Sequence, residues 1–266
     1  MQTLLASLRI IYDACPLCGS REIQTTLLAS CSGHPLYKPA IPPEMKWMIC
    51  RSCGHVFTEG YFTEEALKII FGGTHNNQKV GYDIEGQRMV SARMIEKVLP
   101  YMQAGHWLDI GFGNGSLLFT AEEYGFTPVG VDLRQDNVAT MKQIGIEAYG
   151  IDVNELDQPG RFAVISMADV LEHMPYPGKT LDTSHRLLGE GGILLLSMPN
   201  MDSAVWKSLH NSRTNPYWGE LEHYHNFGRS RLYALLREHG FEPLRYGISE
   251  RYRVCMEVVA RKLPAQ

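Results

Sequence analysis

The sequence predicts an α/β protein built around a Rossmann-like sheet with helices on both faces, preceded by a small four-cysteine module. Three observations predict it. From His106 onward, short apolar runs alternate with amphipathic segments; the first run ends in the glycine-rich turn Gly111-Phe112-Gly113-Asn114-Gly115; and upstream, Cys15, Cys18, Cys50 and Cys53 form two C-x-x-C pairs. Alternation of this kind implies right-handed crossovers and a parallel sheet covered on both faces. A chain of 266 residues has room for one large domain and a small accessory one.

Taken in order, the segment up to about Tyr61 holds turn residues, the prolines Pro39, Pro42 and Pro43, and no sustained helical period. So small a unit needs a staple, metal or disulfide, to hold a core. Apolar residues then recur at helical spacing over 63–71 and 87–99. Strands are expected at 107–110, 128–131, 147–149, 163–167 and 193–198, with helices near 117–124, 137–144 and 180–188 between them. After Asn200 an irregular, aromatic-rich stretch precedes a helix at 230–239, capped by Ser230, and the runs 243–248 and 253–260 read as an antiparallel edge pair. The expected division is a cysteine module at 1–62, a helical lead-in or lid at 63–104 and a main domain at 105–266.

Hydrophobic residues at 44% and charged residues at 20% are ordinary for a globular chain and speak against disorder. A formal charge of -4 offers no global attraction to nucleic acid or anionic lipid. The longest apolar run, 193–198, falls far short of the roughly 20 residues that span a bilayer, and the start lacks the marks of a signal peptide. The expectation is a cytoplasmic protein.

In an open α/β sheet the turn after the first strand faces the crevice at the carboxyl ends of the strands, where ligands bind. Glycines there let the backbone approach a ligand beside a helix N-terminus. Asp132 ends the next strand, where a carboxylate accepts both hydroxyls of a ribose. A nicotinamide dinucleotide site would show G-x-G-x-x-G, but its third glycine falls on Ser116. Here the pattern is G-x-G-x-G, with Asp109 two residues before Gly111. That carboxylate repels a pyrophosphate and attracts an ammonium, which favours S-adenosylmethionine over a dinucleotide.

Residues 108–115, 129–132, 150–152, 163–173 and 191–200 together resemble the successive motifs of class I S-adenosylmethionine-dependent methyltransferases, in order and at typical spacing. The resemblance implies a cofactor site in which Gly111, Gly113 and Gly115, with Asp109, lie under the amino-acid part. It places Asp132 on the ribose with Leu133 beside it, Asp152 on the adenine amino group, and Val153 beside the ring. Tyr82 resembles a tyrosine that closes over the cofactor.

The segment Asp169-Val170-Leu171-Glu172-His173 resembles the E-x-x-E-H of ubiquinone-biosynthesis O-methyltransferases, with Asp169 where glutamate is usual. On a helical turn Asp169, Glu172 and His173 share a face. They either hold a divalent ion beside a substrate hydroxyl or pack under the cofactor and orient the substrate. In 220–227 the resemblance brings His223 or His225 near the acceptor, and with His173 these are the candidate general bases, since imidazole titrates near neutral pH. Trp206, Tyr217, Trp218 and Tyr224 either line an acceptor pocket or pack in the core.

Two C-x-x-C knuckles, each followed by glycine, supply the four thiolates of a closed structural zinc site. The redox reading lacks the βαβ setting of a catalytic C-x-x-C. Cys31 and Cys255 read as small buried apolar residues. A zinc knuckle before this domain resembles the sugar methyltransferases that act on nucleotide-linked deoxysugars. The expectation is methyl transfer to a small-molecule acceptor, most readily an oxygen of a sugar, phenol or secondary metabolite. The competing readings are a module that binds RNA or protein, with the zinc unit and a thin basic patch of Lys46, Arg51 and His55 for docking, and a scaffold without activity. Composition does not address the oligomeric state.

Overall fold

The computed structural model describes residues 8–70, 76–252 and 254–264. Phe71, at the end of the first predicted helix, and Arg253, at the start of the last predicted strand, lie outside the described residues. The chain divides into two compact units that interleave in sequence. Met1–Gly73, Glu172–Pro177 and Pro199–Leu232 form the first; Thr74–Leu171, Gly178–Met198 and Tyr233–Gln266 form the second. The units are therefore not the consecutive segments 1–62, 63–104 and 105–266.

In chain order the strands are β1 (Arg9–Ile11), β2 (Ile23–Ser30), β3 (Glu44–Cys50), β4 (Val56–Thr58) and β5 (Gly60–Phe62), then β6 (Gly105–Ile110), β7 (Phe126–Val131) and β8 (Glu147–Tyr149). There follow β9 (Phe162–Ala168), β10 (Leu188–Pro199), β11 (His225–Asn226), β12 (Phe241–Ile248) and β13 (Cys255–Lys262). In the first unit β1 pairs with β5, and β2, β3, β4 and β11 form an antiparallel sheet in the order β11-β4-β3-β2. The pairing of β11 with β4, His225 opposite Phe57, is the reason a segment near residue 225 folds with the amino-terminal module.

Along β3 the exposed Glu44 and partly covered Lys46 alternate with the buried Met45 and Trp47, the period-2 pattern of a sheet with one face in a core. The Trp47 indole donates to the Trp218 carbonyl at 2.9 Å, so the largest side chain of this core also satisfies its polar atom. The stretch expected to be irregular after Asn200 contains a helix, Ala204–Asn211, started by Ser203, whose hydroxyl accepts the Trp206 amide at 3.0 Å.

The second unit carries a seven-stranded sheet in the order β12-β13-β10-β9-β6-β7-β8. Its parallel pairs join β10, β9, β6, β7 and β8 as predicted, and β12 pairs antiparallel with β13 at the edge. The run Ile193 to Met198 in β10 is buried throughout, because a central parallel strand has no wet face. Chain order reverses between β6 and β9, so the crevice at a topological switch point opens beside the ends of these two strands, at Gly111 and Asp169. Among the described residues no helix is long and apolar enough to cross a membrane.

The last long helix spans Arg229–Glu238, so Ser230 lies inside it rather than capping it. Its first amides are satisfied from a distant segment: Arg229 N–H donates to Asn200 Oδ1 at 3.3 Å and Ser230 N–H to Asp202 Oδ2 at 3.2 Å. A Cβ on Gly228 would lie 2.4 Å from Asp202 Oδ1, so this approach requires glycine. Asp202→Ala is expected to destabilise the protein by about 1 kcal/mol, the usual worth of a cap, read as a small drop in Tm with secondary structure intact by circular dichroism.

Candidate functional site

The turn after β6 is held by backbone that only glycine adopts freely: Gly111, Gly113 and Gly115 have φ of 71°, 52° and 82°. It is pinned to its neighbour. The Gly111 amide donates to the Val131 carbonyl at 2.7 Å, and the Gly113 amide donates to Asp132 Oδ2 at 3.1 Å. Asp132 is buried and also receives the Arg134 amide at 2.8 Å and its guanidinium at 3.2 Å. Arg134 in turn donates to Gln78 Oε1 at 2.7 Å. Buried Asn137 reaches both the Gln78 carbonyl, at 2.8 Å, and the Gly113 carbonyl, at 3.0 Å.

Asp109 is buried at the end of β6, where Ser166 Oγ of β9 donates to its Oδ1 at 2.6 Å. The Trp107 indole can only donate, and it donates to the same Ser166 oxygen at 2.8 Å, which directs the hydroxyl proton to the carboxylate. Burial pushes the Asp109 carboxyl up to about 7, against the Ser166 hydrogen bond and the attraction of Arg251, with the charge of Asp132 adding to the rise. A carboxyl raised this far holds its proton for part of the time near neutral pH and gives it up when a cation is brought to it.

Of the other candidates in this unit, Asp152 caps the short turn Val153–Glu155, accepting the Asn154 amide at 2.8 Å, and Val153 is buried behind it. Leu133 is 72% exposed and Tyr82 49% exposed. The Tyr82 carbonyl accepts from Asn114 Nδ2 at 2.9 Å, so its backbone is tied to the glycine turn. Asp169 follows β9 at a φ of 57°, an uncommon conformation for a residue with a Cβ. Its amide donates to the Ser197 carbonyl at 2.8 Å, and its carboxylate faces Ser197 Oγ at 3.4 Å and Arg251 Nε at 3.5 Å.

The expected face of Asp169, Glu172 and His173 does not form. Glu172, His173 and His223, all in the first unit, present ligand atoms within 4.8 Å of one another, and Asp169 is in none of the metal-competent clusters among the described residues. The left-handed turn at Asp169 breaks the helical spacing on which that expectation rested. The His173 and His223 rings meet edge to face at 4.8 Å. Burial, then the neighbouring His173, pulls His223 well below the usual imidazole range, so it is neutral at physiological pH.

His225 is engaged on both ring nitrogens. Nε2 lies 2.8 Å from the Met174 carbonyl, which can only accept, so Nδ1 is the acceptor and takes a proton from His55 Nε2 at 3.0 Å. Burial holds it down to about 3. Neither nitrogen is open to a substrate proton, so His225 fits a structural role and not that of a base. Trp206 stacks on Tyr217 at 5.3 Å and Tyr217 on His223 at 6.3 Å, while buried Tyr224 receives the Phe62 amide at 3.3 Å through its hydroxyl.

The four cysteines converge, their sulfurs all within 4.8 Å and none in a disulfide. Cys15 and Cys53 sulfurs lie 3.7 Å apart and those of Cys18 and Cys50 3.6 Å apart, close to the ~3.8 Å edge of a tetrahedron with zinc–sulfur bonds of about 2.3 Å. The knuckles are built alike: Gly19 N–H donates to the Cys15 carbonyl and Gly54 N–H to the Cys50 carbonyl, each at 2.9 Å. The arrangement fits a small zinc-binding module. Cys31, whose thiol donates to the Pro43 carbonyl at 3.3 Å, and Cys255 are buried elsewhere. The thin basic patch is reduced: His55 is buried and Lys46 pairs with Glu59 at 2.6 Å, while Arg51 stays exposed and donates to the neutral Gln24 amide.

Ser166, Arg134, Asn137 and Arg251 carry much of this geometry and went unread in the sequence. Arg134, two residues after the ribose-site aspartate, left a local signal; the others come from elements whose adjacency only the sheet order creates.

Residues 87–246, more than half of the chain, match the model of a family described as a methyltransferase domain, and the chain belongs to that family. A ubiquinone biosynthesis O-methyltransferase of Pseudomonas aeruginosa is 30% identical over 107 residues, which are 37% of this chain and 46% of the relative. The match thus spans less than half of that relative's length. Among solved structures, the 1,6-didemethyltoxoflavin-N1-methyltransferase of Burkholderia thailandensis, with bound 1,6-didemethyltoxoflavin and S-adenosylhomocysteine, shares the fold with a TM-score of 0.54 at 21% identity, over 69% of this chain and 83% of that one. Magnesium protoporphyrin IX methyltransferase of Synechocystis PCC 6803, with bound S-adenosylhomocysteine, gives a TM-score of 0.53 at 18% identity, over 67% and 84%. The fold is therefore that of class I S-adenosylmethionine-dependent methyltransferases.

A carboxyl raised on folding favours the folded state below the unfolded carboxylate pKa, and that support is lost as pH rises towards about 7. Asp109→Asn is accordingly expected to raise Tm relative to the native protein. The gain grows from pH 4 to about pH 7 and levels off above it in melts without ligand.

Proposed function

We propose that the protein transfers a methyl group from S-adenosylmethionine to an oxygen of a small-molecule acceptor such as a sugar, a phenol or a related metabolite. The observation that carries this reading is the pair of buried carboxyl groups that flank the glycine turn, Asp109 at the end of β6 and Asp132 after β7. When bound, S-adenosylmethionine supplies a methyl group made electrophilic by its sulfonium. The glycine turn receives the amino-acid part, Asp109 pairs with its ammonium, Asp132 accepts the ribose hydroxyls with Arg134 giving way, and Asp152 and Val153 take the adenine. Since the reaction is a direct displacement, orientation of the acceptor supplies much of the rate.

His173 and His223 are assigned as the base that takes the acceptor hydroxyl proton, His225 being occupied. The same pair with Glu172 offers two imidazoles and a carboxylate, a donor set that suits zinc or another divalent ion. If an ion assists, these three are its ligands. Zinc bound by Cys15, Cys18, Cys50 and Cys53 holds the amino-terminal strands and takes no part in the transfer. Docking of RNA by the zinc unit ranks lower, because His55 is buried and Lys46 is paired with Glu59, which leaves Arg51, among the described residues, as the one exposed unpaired cation of that patch.

S-adenosylhomocysteine is expected to bind in calorimetry, more tightly as pH rises through about 7, because its ammonium draws the proton off Asp109. Asp132→Asn should weaken that binding by at least about tenfold, the effect of one lost charge-assisted hydrogen bond. Unchanged affinity in that variant would place the nucleotide elsewhere. Elemental analysis should find about one zinc per chain, falling towards zero in Cys50→Ser, and chelation should lower Tm; under the competing redox reading chelation would leave Tm unchanged.

A further inference from the structure

The loop between β12 and β13 brings a cation to the switch-point crevice. Arg251, its side chain 30% exposed, sets its Nε 3.5 Å from Asp169 Oδ2, and the same guanidinium acts on Asp109. The distance to Asp169 is that of an ion pair without a hydrogen bond. Asp169 Oδ2 is buried and, among the described residues, accepts no hydrogen bond. A buried carboxylate oxygen without a donor costs free energy unless something arrives to satisfy it. The Asp169 backbone, at a φ of 57°, is fixed by its amide, which donates to the Ser197 carbonyl at 2.8 Å.

Two carboxylates, Asp109 and Asp169, and one guanidinium in the same crevice match the two ends of an α-amino acid. The carboxylates suit an ammonium. The guanidinium suits a carboxylate, which it can grip with two parallel hydrogen bonds that it does not make with Asp169. We infer that Arg251 is the counter-ion of the α-carboxylate of the cofactor's methionine moiety, with Asp169 Oδ2 sharing its ammonium with Asp109. This rests on the S-adenosylmethionine reading and adds to it a residue from the far end of the chain.

The test compares S-adenosylhomocysteine with its decarboxylated analogue, which keeps the ammonium, by calorimetry on the native protein, Arg251→Ala and Arg251→Lys. The native protein should prefer the intact ligand by about tenfold to a hundredfold, the range for a charge-assisted contact. Arg251→Ala should bring the preference close to one while leaving the analogue's affinity unchanged, and Arg251→Lys should keep part of it. A preference that survives Arg251→Ala, equal weakening of both ligands, or tighter binding of S-adenosylhomocysteine would each overturn the assignment. A native protein that binds neither ligand would instead overturn the cofactor reading itself.

Discussion

Hydrogen bonds tie the ends of two central strands together, and the one on which the site depends runs from the amide of Gly113, after β6, to the carboxylate of Asp132, after β7. It works only because Gly113 has a positive φ that turns its N–H towards the neighbouring strand. The amide of Gly111 reaches the last carbonyl of β7 in the same way, and the Asp132 amide reaches Tyr149, so the three strand ends are laced before any ligand is present. Arg134, Gln78 and Asn137 are hung on this lacing. Preorganisation of this kind spares a bound nucleotide the ordering of its own cradle.

The crevice is also where the protein gives up stability. Asp109 is buried with its carboxyl raised, Asp169 holds a strained turn, and a buried oxygen of Asp169 lacks a donor among the described residues. All three are unfavourable, and a cation would offset the two that involve carboxyl groups. Perturbed, buried carboxyls gathered in one crevice mark a functional site. Histidines of the first unit are handled differently: burial keeps His223 and His225 neutral, one available as a base or ligand and the other consumed in the sheet beside His55.

The first unit shows why a metal module and a later loop fold together. Its four-stranded sheet is completed by β11, and its core joins Trp47 and Met45 to Leu221 and Tyr224. Strands this short supply little core of their own. The cysteine cluster closes one end, and the 199–232 segment supplies apolar surface that the amino-terminal residues lack.

By itself, the sequence determined the parallel strands, the glycine turn, Asp109, Asp132 and the cysteine quartet, because each depends on local rules: alternation of apolar runs, positive φ at glycine, and knuckle spacing. The helix at Ala204–Asn211 hid among aromatics, and the period-2 alternation of β3 was obscured by the turns around it. Only the tertiary structure decided that His225 is spent on His55 and Met174, that His223 rather than Asp169 joins Glu172 and His173, and that Arg251 reaches the crevice. These depend on sheet order and on one left-handed turn, which bring together residues far apart in the chain and leave no periodic trace in it.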